Sequence, residues 1–139
     1  MTRVAVLIVA GGKGLRAGAD APKQWQPLLG RRVIDWSIDA FSRHPAVTDI
    51  VVVASPELGE PREGQRFVRA EPGASRTQSV LSGLAALDVP IDAKVLIHDA
   101  ARPGIDNLLI TALIDALDIA DAAAPALPVV DALKRDNEG

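Results

Sequence analysis

Short apolar runs alternating with amphipathic ones predict an α/β chain: a Rossmann-like, mostly parallel sheet with helices on both faces, stacked as α/β/α. Three observations carry that expectation. Hydrophobic residues fill 48% of the 139 positions but aromatics only 3%, so Val, Ile, Leu and Ala must build the core. The apolar runs have the length of buried strands, and the segments between them carry a helical period. No internal repeat, low-complexity tract or linker divides the chain, so residues 1–139 are expected to form one domain.

In order, Val4 to Val9 is continuously apolar, as a strand covered on both faces should be. A glycine-rich loop follows. Val33 to Ser42 reads as a helix with Ile34, Ile38 and Phe41 on one face, and Asp49 to Ala54 as a second buried strand. Pro56 to Gly64 is polar and rich in Pro and Gly, which predicts a surface loop. Arg66 to Ala70 reads as a short strand. Ser75 to Leu87 reads as a helix turning Val80, Leu81, Leu84 and Leu87 inward, and Lys94 to His98 as another buried strand. Asp106 is placed to N-cap a long helix whose inner stripe is Leu109, Ala112, Leu113, Ala116 and Leu117. Ala123 to Val130 is expected as a last strand, interrupted by Pro125 and Pro128. Trp25 and Trp36 are expected in the core or an interface, His98 as a packed strand-end residue, and Arg31 and Arg32 in a solvated turn.

Charge and composition exclude several classes. A formal net charge of −3 offers no general nucleic-acid surface, so positive charge matters only locally. Without cysteine there is no disulfide, thiolate zinc site or cysteine nucleophile, which suits a reducing cytoplasm. Arg3 followed by Val4 to Ala10 imitates a short secretion signal, but the run leads directly into a charged glycine loop and is better read as a strand. No segment reaches membrane-spanning length. A cytoplasmic protein acting on small molecules, with neither nucleic-acid nor membrane partners, is therefore expected.

The loop Val9-Ala10-Gly11-Gly12-Lys13-Gly14-Leu15-Arg16, with Pro22-Lys23-Gln24 after it, carries the chemistry. Glycines let the backbone turn sharply and bring its N–H groups close to a ligand, while Lys13, Arg16 and Lys23 surround that cradle with positive charge. Such a combination holds a polyphosphate. A Walker A loop is excluded because Gly14, not Ser or Thr, follows Lys13. Gly12-x-Gly14-x-x-Ala17 matches the looser dinucleotide fingerprint, but Gly18 to Pro22 shows no helical period. The acid expected after the second strand is also absent from Val51 to Ser55, so a dinucleotide-dependent oxidoreductase is the weaker reading. A nucleoside triphosphate is the better one.

Ligands of open α/β sheets sit at the carboxyl ends of the strands. Three segments leave such ends here: the glycine loop, Glu71-Pro72-Gly73-Ala74-Ser75-Arg76, and His98-Asp99-Ala100-Ala101-Arg102-Pro103. A basic phosphate loop near an acid and an arginine suits a phosphoryl or nucleotidyl transferase.

Together and in this order, Ala10 to Arg16, Pro22-Lys23-Gln24, the Ser79-Val80-Leu81-Ser82-Gly83-Leu84 helix and His98 to Pro103 resemble the 2-C-methyl-D-erythritol 4-phosphate cytidylyltransferases of the non-mevalonate isoprenoid pathway. The likeness runs to Val130-Asp131-Ala132-Leu133-Lys134-Arg135 and implies a single nucleotidyltransferase domain that is C-terminally incomplete relative to that family. It implies that CMP passes from CTP to 2-C-methyl-D-erythritol 4-phosphate with loss of pyrophosphate, and that Mg²⁺ bridges triphosphate oxygens. Arg16 and Lys23 would be the catalytic pair. Ala10, Gly11, Gly12, Gly14, Gly73 and Ser79 would bind the nucleotide. Asp99 and Arg102 would bind the polyol phosphate, with no metal ligand from a side chain; the alternative for Asp99 is that it approaches the metal instead. The resemblance also implies a homodimer at full length and, in some relatives, fusion to a downstream enzyme. A cytidylyltransferase for another polyol phosphate such as ribitol 5-phosphate, and a non-catalytic nucleotide-binding fragment, remain open alternatives.

Overall fold

The computed structural model of the protein describes residues 2–11 and 22–132. In chain order the elements are β1 (Val4–Val9), the short hairpin strands β2 (Pro27–Leu28) and β3 (Arg31–Arg32), α1 (Val33–Arg43), β4 (Val47–Val53), β5 (Val68–Ala70), α2 (Arg76–Ala85), β6 (Lys94–Asp99) and α3 (Asn107–Ala116). β1 lies inside the main sheet, parallel to β4 on one side and to β6 on the other. β5 continues beyond β4, giving the order β5-β4-β1-β6. Every residue of β1 is buried, because both faces of the sheet are covered there. On one face Val6, Ile8, Val52 and Leu96 meet Ile34, Ile38 and Phe41 of α1 and Ile110 and Ile114 of α3. On the other, Leu7, Val9, Val51 and Val53 meet Val80 and Leu87 of the α2 segment. The expected three layers are present. Among the described residues no helix is long and apolar enough to cross a membrane.

Several boundaries and faces differ from expectation. In α2 the buried residues are Ser79 and Gly83, while Leu81 (60% exposed) and Leu84 (38%) look outward. Close approach decides that face: a Cβ on Gly83 would lie 2.1 Å from Leu7 Cδ1 and 2.7 Å from Val53 Cγ2, so the helix rests on the sheet through its glycine. In α3, Leu113 and Leu117 are half-buried as expected, but Leu109 and Ala112 are exposed and Ile110 and Ile114 are buried instead. The stripe is turned by one residue toward α1. β5 begins at Val68 rather than Arg66, because the Arg66 N–H donates to Ser42 Oγ and its guanidinium to the Val47 and Thr48 carbonyls, outside any ladder. Ala123 to Val130 forms no strand and lies exposed. Pro125 and Pro128 have no N–H for a ladder. Within the Pro56 to Gly64 loop, one 3-10 turn (Pro56–Leu58) buries Leu58.

Arg31 and Arg32 are not a solvated turn. Arg31 pairs with Asp39 at 2.6 Å and lies over the Trp36 ring, and Arg32 pairs with the fully buried Asp35 at 2.8 Å and lies over Trp25. Trp25 is partly buried against the core, as expected, and Trp36 Nε1 donates to the Leu28 carbonyl at 3.0 Å.

Candidate active site

The chain leaves β1 toward β4 and β5 on one side and later returns to place β6 on the other, so the strand order switches beside β1. At such a point the two loops at the carboxyl ends diverge and leave a crevice for a ligand. Ala10 and Gly11 continue β1 into that crevice. The Ala10 N–H donates to the Val53 carbonyl at 2.8 Å, and the Ala10 carbonyl accepts from Gln24 Nε2 at 2.9 Å. Gln24 is only 6% exposed, whereas Lys23 beside it is exposed. The Pro-Lys-Gln triplet thus has two directions: the amide locks onto the end of β1, and the lysine stays at the surface next to it.

Gly11 sits against the second segment. A Cβ there would be 2.6 Å from Pro72 Cβ and 3.1 Å from Ser79 Oγ, so only glycine allows this approach. The Gly73 N–H donates to Ser79 Oγ at 3.0 Å, and Ser79 is buried. Ser75 N-caps α2 by accepting from the Gln78 N–H at 3.1 Å, while Gln78 Oε1 accepts from the Ala74 N–H at 2.9 Å. A Cβ on Gly73 would lie 2.4 Å from Gln78 Cβ. Two side-chain-to-backbone bonds and one cap therefore fix the Gly73 turn against Gly11.

At the end of β6, the Ala100 N–H donates to the Val9 carbonyl at 3.1 Å, which ties the third segment to β1. Asp99 Oδ1 accepts from the Ala101 N–H at 3.1 Å, and the Arg102 N–H closes the turn on the Asp99 carbonyl at 3.0 Å. The Arg102 guanidinium is 79% exposed and reaches Asp99 only loosely, at 3.8 Å. Beneath this turn His98 Nε2 lies 3.0 Å from the Arg102 carbonyl and 3.2 Å from Ser37 Oγ, and its ring meets Phe41 edge-on. Burial pushes the His98 pKa down, against the opposing pull of the Arg102 carbonyl and Asp99. The imidazole is a neutral brace, the packed strand-end residue expected.

The structure therefore brings Ala10, Gly11, Gly73 and Ser79 together, with Lys23 at the same strand end and Asp99 and Arg102 on the neighbouring one. Gly12, Gly14 and Arg16 lie outside the described residues, as does Lys13. Among the described residues no three His, Asp or Glu side chains cluster as metal ligands. Sequence reasoning quoted Gln24 only as part of a triplet and gave it no role. A polar residue between a lysine and an aromatic, just after a loop rich in glycine, was the available signal.

Comparison with known proteins agrees with this fold. The family described as IspD, 2-C-methyl-D-erythritol 4-phosphate cytidylyltransferase, matches residues 4–139. A bifunctional enzyme IspD/IspF of Hyphomonas neptunium is 56% identical over 99% of this chain and 37% of its own length. The 2-C-methyl-D-erythritol 4-phosphate cytidylyltransferase of Roseobacter denitrificans is 47% identical, over 99% of this chain and 63% of its own. Among solved structures, the cytidylyltransferase of that name from Thermus thermophilus superposes with a TM-score of 0.74 at 34% identity, covering 98% of this chain and 60% of that one. The bifunctional IspDF of Campylobacter jejuni gives a TM-score of 0.81 at 27% identity, over 99% and 36% respectively. The chain thus spans about a third of the length of the bifunctional relatives and under two thirds of the single-function ones.

Proposed function

The chain belongs to the 2-C-methyl-D-erythritol 4-phosphate cytidylyltransferase family, and from that premise we propose that it supplies the nucleotide end of an enzyme moving CMP from CTP to 2-C-methyl-D-erythritol 4-phosphate. The observation that carries the reading is the packing of Gly11 against Pro72, Gly73 and Ser79 at the end of β1, with exposed Lys23 beside it. Two glycines without room for a Cβ let the end of β1 close against the Gly73 turn, beside which a base and ribose would sit. Ser79 Oγ, which accepts from the Gly73 N–H, fixes that turn. A phosphate oxygen of the acceptor forms a bond to the α-phosphorus of CTP. The bond from that phosphorus to the bridging oxygen breaks, and pyrophosphate leaves with the electron pair. Charge accumulates on the equatorial and leaving oxygens, so catalysis rests on positioning and fixed positive charge. Lys23, and Arg16 outside the described residues, supply it.

Mg²⁺ bound among the triphosphate oxygens would add charge neutralisation. Asp99 and Arg102 hold the polyol phosphate, the carboxylate accepting from hydroxyls and the guanidinium donating. The complete protein acts as a cytoplasmic homodimer, and the bifunctional relative from Hyphomonas supports fusion to a second enzyme.

The test is CMP transfer by the complete enzyme, with 2-C-methyl-D-erythritol 4-phosphate and ribitol 5-phosphate offered separately. Lys23→Ala should lower kcat by about 10²-fold, the effect of losing one preorganised donor to a developing anion, with a smaller change in KM. Equal use of ribitol 5-phosphate would reassign the acceptor, and wild-type turnover in Lys23→Ala would remove that lysine from the reaction.

A further inference from the structure

The face of α1 that lies on the sheet is apolar through Ile34, Ile38 and Phe41, yet it also buries Ser37, which is 0% exposed. A hydroxyl taken out of water among such neighbours is costly unless it is bonded, and alanine would pack there without that cost. Ser37 Oγ reaches two groups at the carboxyl end of β6. It donates to the Arg102 carbonyl at 3.4 Å and lies 3.2 Å from His98 Nε2. His98 Nε2 in turn lies 3.0 Å from that same carbonyl. A carbonyl oxygen only accepts, so Nε2 carries the hydrogen of the neutral ring and shares it between the carbonyl and Ser37 Oγ. Phe41, edge-on at 5.1 Å between ring centroids, packs the imidazole in this orientation. The turn from Asp99 to Arg102 also has bonds of its own: the Ala101 N–H donates to Asp99 Oδ1 at 3.1 Å and the Arg102 N–H to the Asp99 carbonyl at 3.0 Å. Those bonds fix its shape but not its placement over α1. At its entrance the Ala100 N–H ties it to the Val9 carbonyl. At its exit Pro103 has no N–H to offer, and the Arg102 carbonyl is held by Ser37 and His98.

We propose that Ser37 and His98 are positioning residues for the acceptor substrate, pinning the Arg102 carbonyl so that Asp99 and the Arg102 guanidinium stand where the acceptor must lie. This inference rests on the cytidylyl-transfer reading above, in which those two side chains hold the acceptor. Ser37 and His98 act through the turn rather than on a substrate. Asp99 pairs in register with Val9, so the turn stands beside the strand end from which the glycine loop leaves, as an acceptor attacking the α-phosphorus requires. The Arg102 side chain is 79% exposed and comes no nearer to Asp99 than 3.8 Å, so that contact fixes neither of them. Position comes from the main chain, and a turn free to shift would hold the acceptor's hydroxyls and phosphate less well.

The experiment uses the complete enzyme, with CTP and 2-C-methyl-D-erythritol 4-phosphate varied in turn and the thermal midpoint measured alongside. His98→Phe keeps a ring against Phe41 but removes the donor, and should raise the acceptor KM by about tenfold with the CTP KM unchanged. His98→Gln, whose amide N–H can replace the Nε2–H, should recover most of that loss. Ser37→Ala should raise the acceptor KM by about threefold. Ser37→Thr keeps the hydroxyl but forces a methyl into a filled position, so it should lower the thermal midpoint while sparing the acceptor KM. That split separates positioning from stability. An unchanged acceptor KM in both His98→Phe and Ser37→Ala, or equal rises in the two KM values, overturns the proposal. Arg102→Gln tests the reading underneath: an unchanged acceptor KM there overturns the assignment of Arg102 to the acceptor, and the proposal with it.

Discussion

Gln24 shows how a single side chain joins two parts of the site. Its Nε2 reaches the Ala10 carbonyl at 2.9 Å in a buried setting, so the residue after Lys23 is fixed to the strand that starts the glycine loop. Gln24→Leu keeps the volume but strips that carbonyl of its donor. A buried acceptor left unsatisfied costs about 1–3 kcal/mol, so the urea midpoint should drop with an unchanged m value. Turnover should drop as well, because Lys23 loses its tether. A variant with wild-type midpoint and wild-type kcat would show that the bond carries neither load. At this scale the glycine loop and its cations were legible from residue type, Gly11 and Lys23 among them, whereas Gly73 was singled out only through the family resemblance; the structure leaves no room for a Cβ at either glycine. The inward turn of Gln24 was not legible, since its partner is a main-chain carbonyl that any residue at position 10 would offer.

Arg31 and Arg32 illustrate the same limit for whole elements. In sequence they are two adjacent cations before a helix. In the fold they bind back onto α1 through Asp35 and Asp39, one turn apart on its buried side. Arg62 and Gln65 of the following loop join the same carboxylates at 3.1 Å and 2.9 Å. The hairpin, α1 and that loop are thereby clamped, and Trp25 under Arg32 extends the clamp to the turn carrying Lys23. Burial pushes both carboxyls up. For Asp35 the hydrogen bonds and charge of Arg32 and the charge of Arg62 outweigh it; for Asp39 Arg31, Gln65 and Arg43 do. Both folded pKa values therefore lie below the unfolded one of about 4. The unfolded chain then binds more protons in acid, and the stabilisation present above pH 4 is lost as pH falls through the folded values. Asp35→Asn should flatten that acid limb while lowering stability at pH 7, read from urea midpoints between pH 2 and 7. An unaltered limb would mean the clamp does not titrate. Periodicity found α1, whose apolar face has no competitor. It also found α2 and the inward Val80 and Leu87, but not the whole face, since a glycine takes the contact that Leu81 and Leu84 were expected to make.

Across the whole molecule, sheet order and site meet in part: the strands that flank the switch point, β1 and β6, carry two of the three segments marked as functional from sequence. The third, residues 71–76, leaves β5 and is brought to the end of β1 by the packing of Gly11 on Pro72 and Ser79. The outer edge of β6 is a different matter. Among the described residues β6 pairs with β1 alone, Ile97 on it is 52% exposed, and Leu127, Val129 and Val130, later in the chain, are exposed without forming the expected strand. An uncovered edge with apolar neighbours is a template for pairing with another chain. A protein made of residues 1–139 alone should therefore self-associate with rising concentration, as light scattering would report. It should still bind CTP, because Ala10, Gly11, Gly73 and Ser79 are held by bonds within these residues. It should make little product, since the cleft beside Asp99 and Arg102 is bounded on one side by the exposed 121–125 segment rather than by a strand. A version extended to the length of the Roseobacter relative, of which this chain matches 63%, should be monodisperse and active. Full activity from a monodisperse 139-residue protein would show that the cleft beside Asp99 and Arg102 is complete as it stands, and that β6 needs no neighbour.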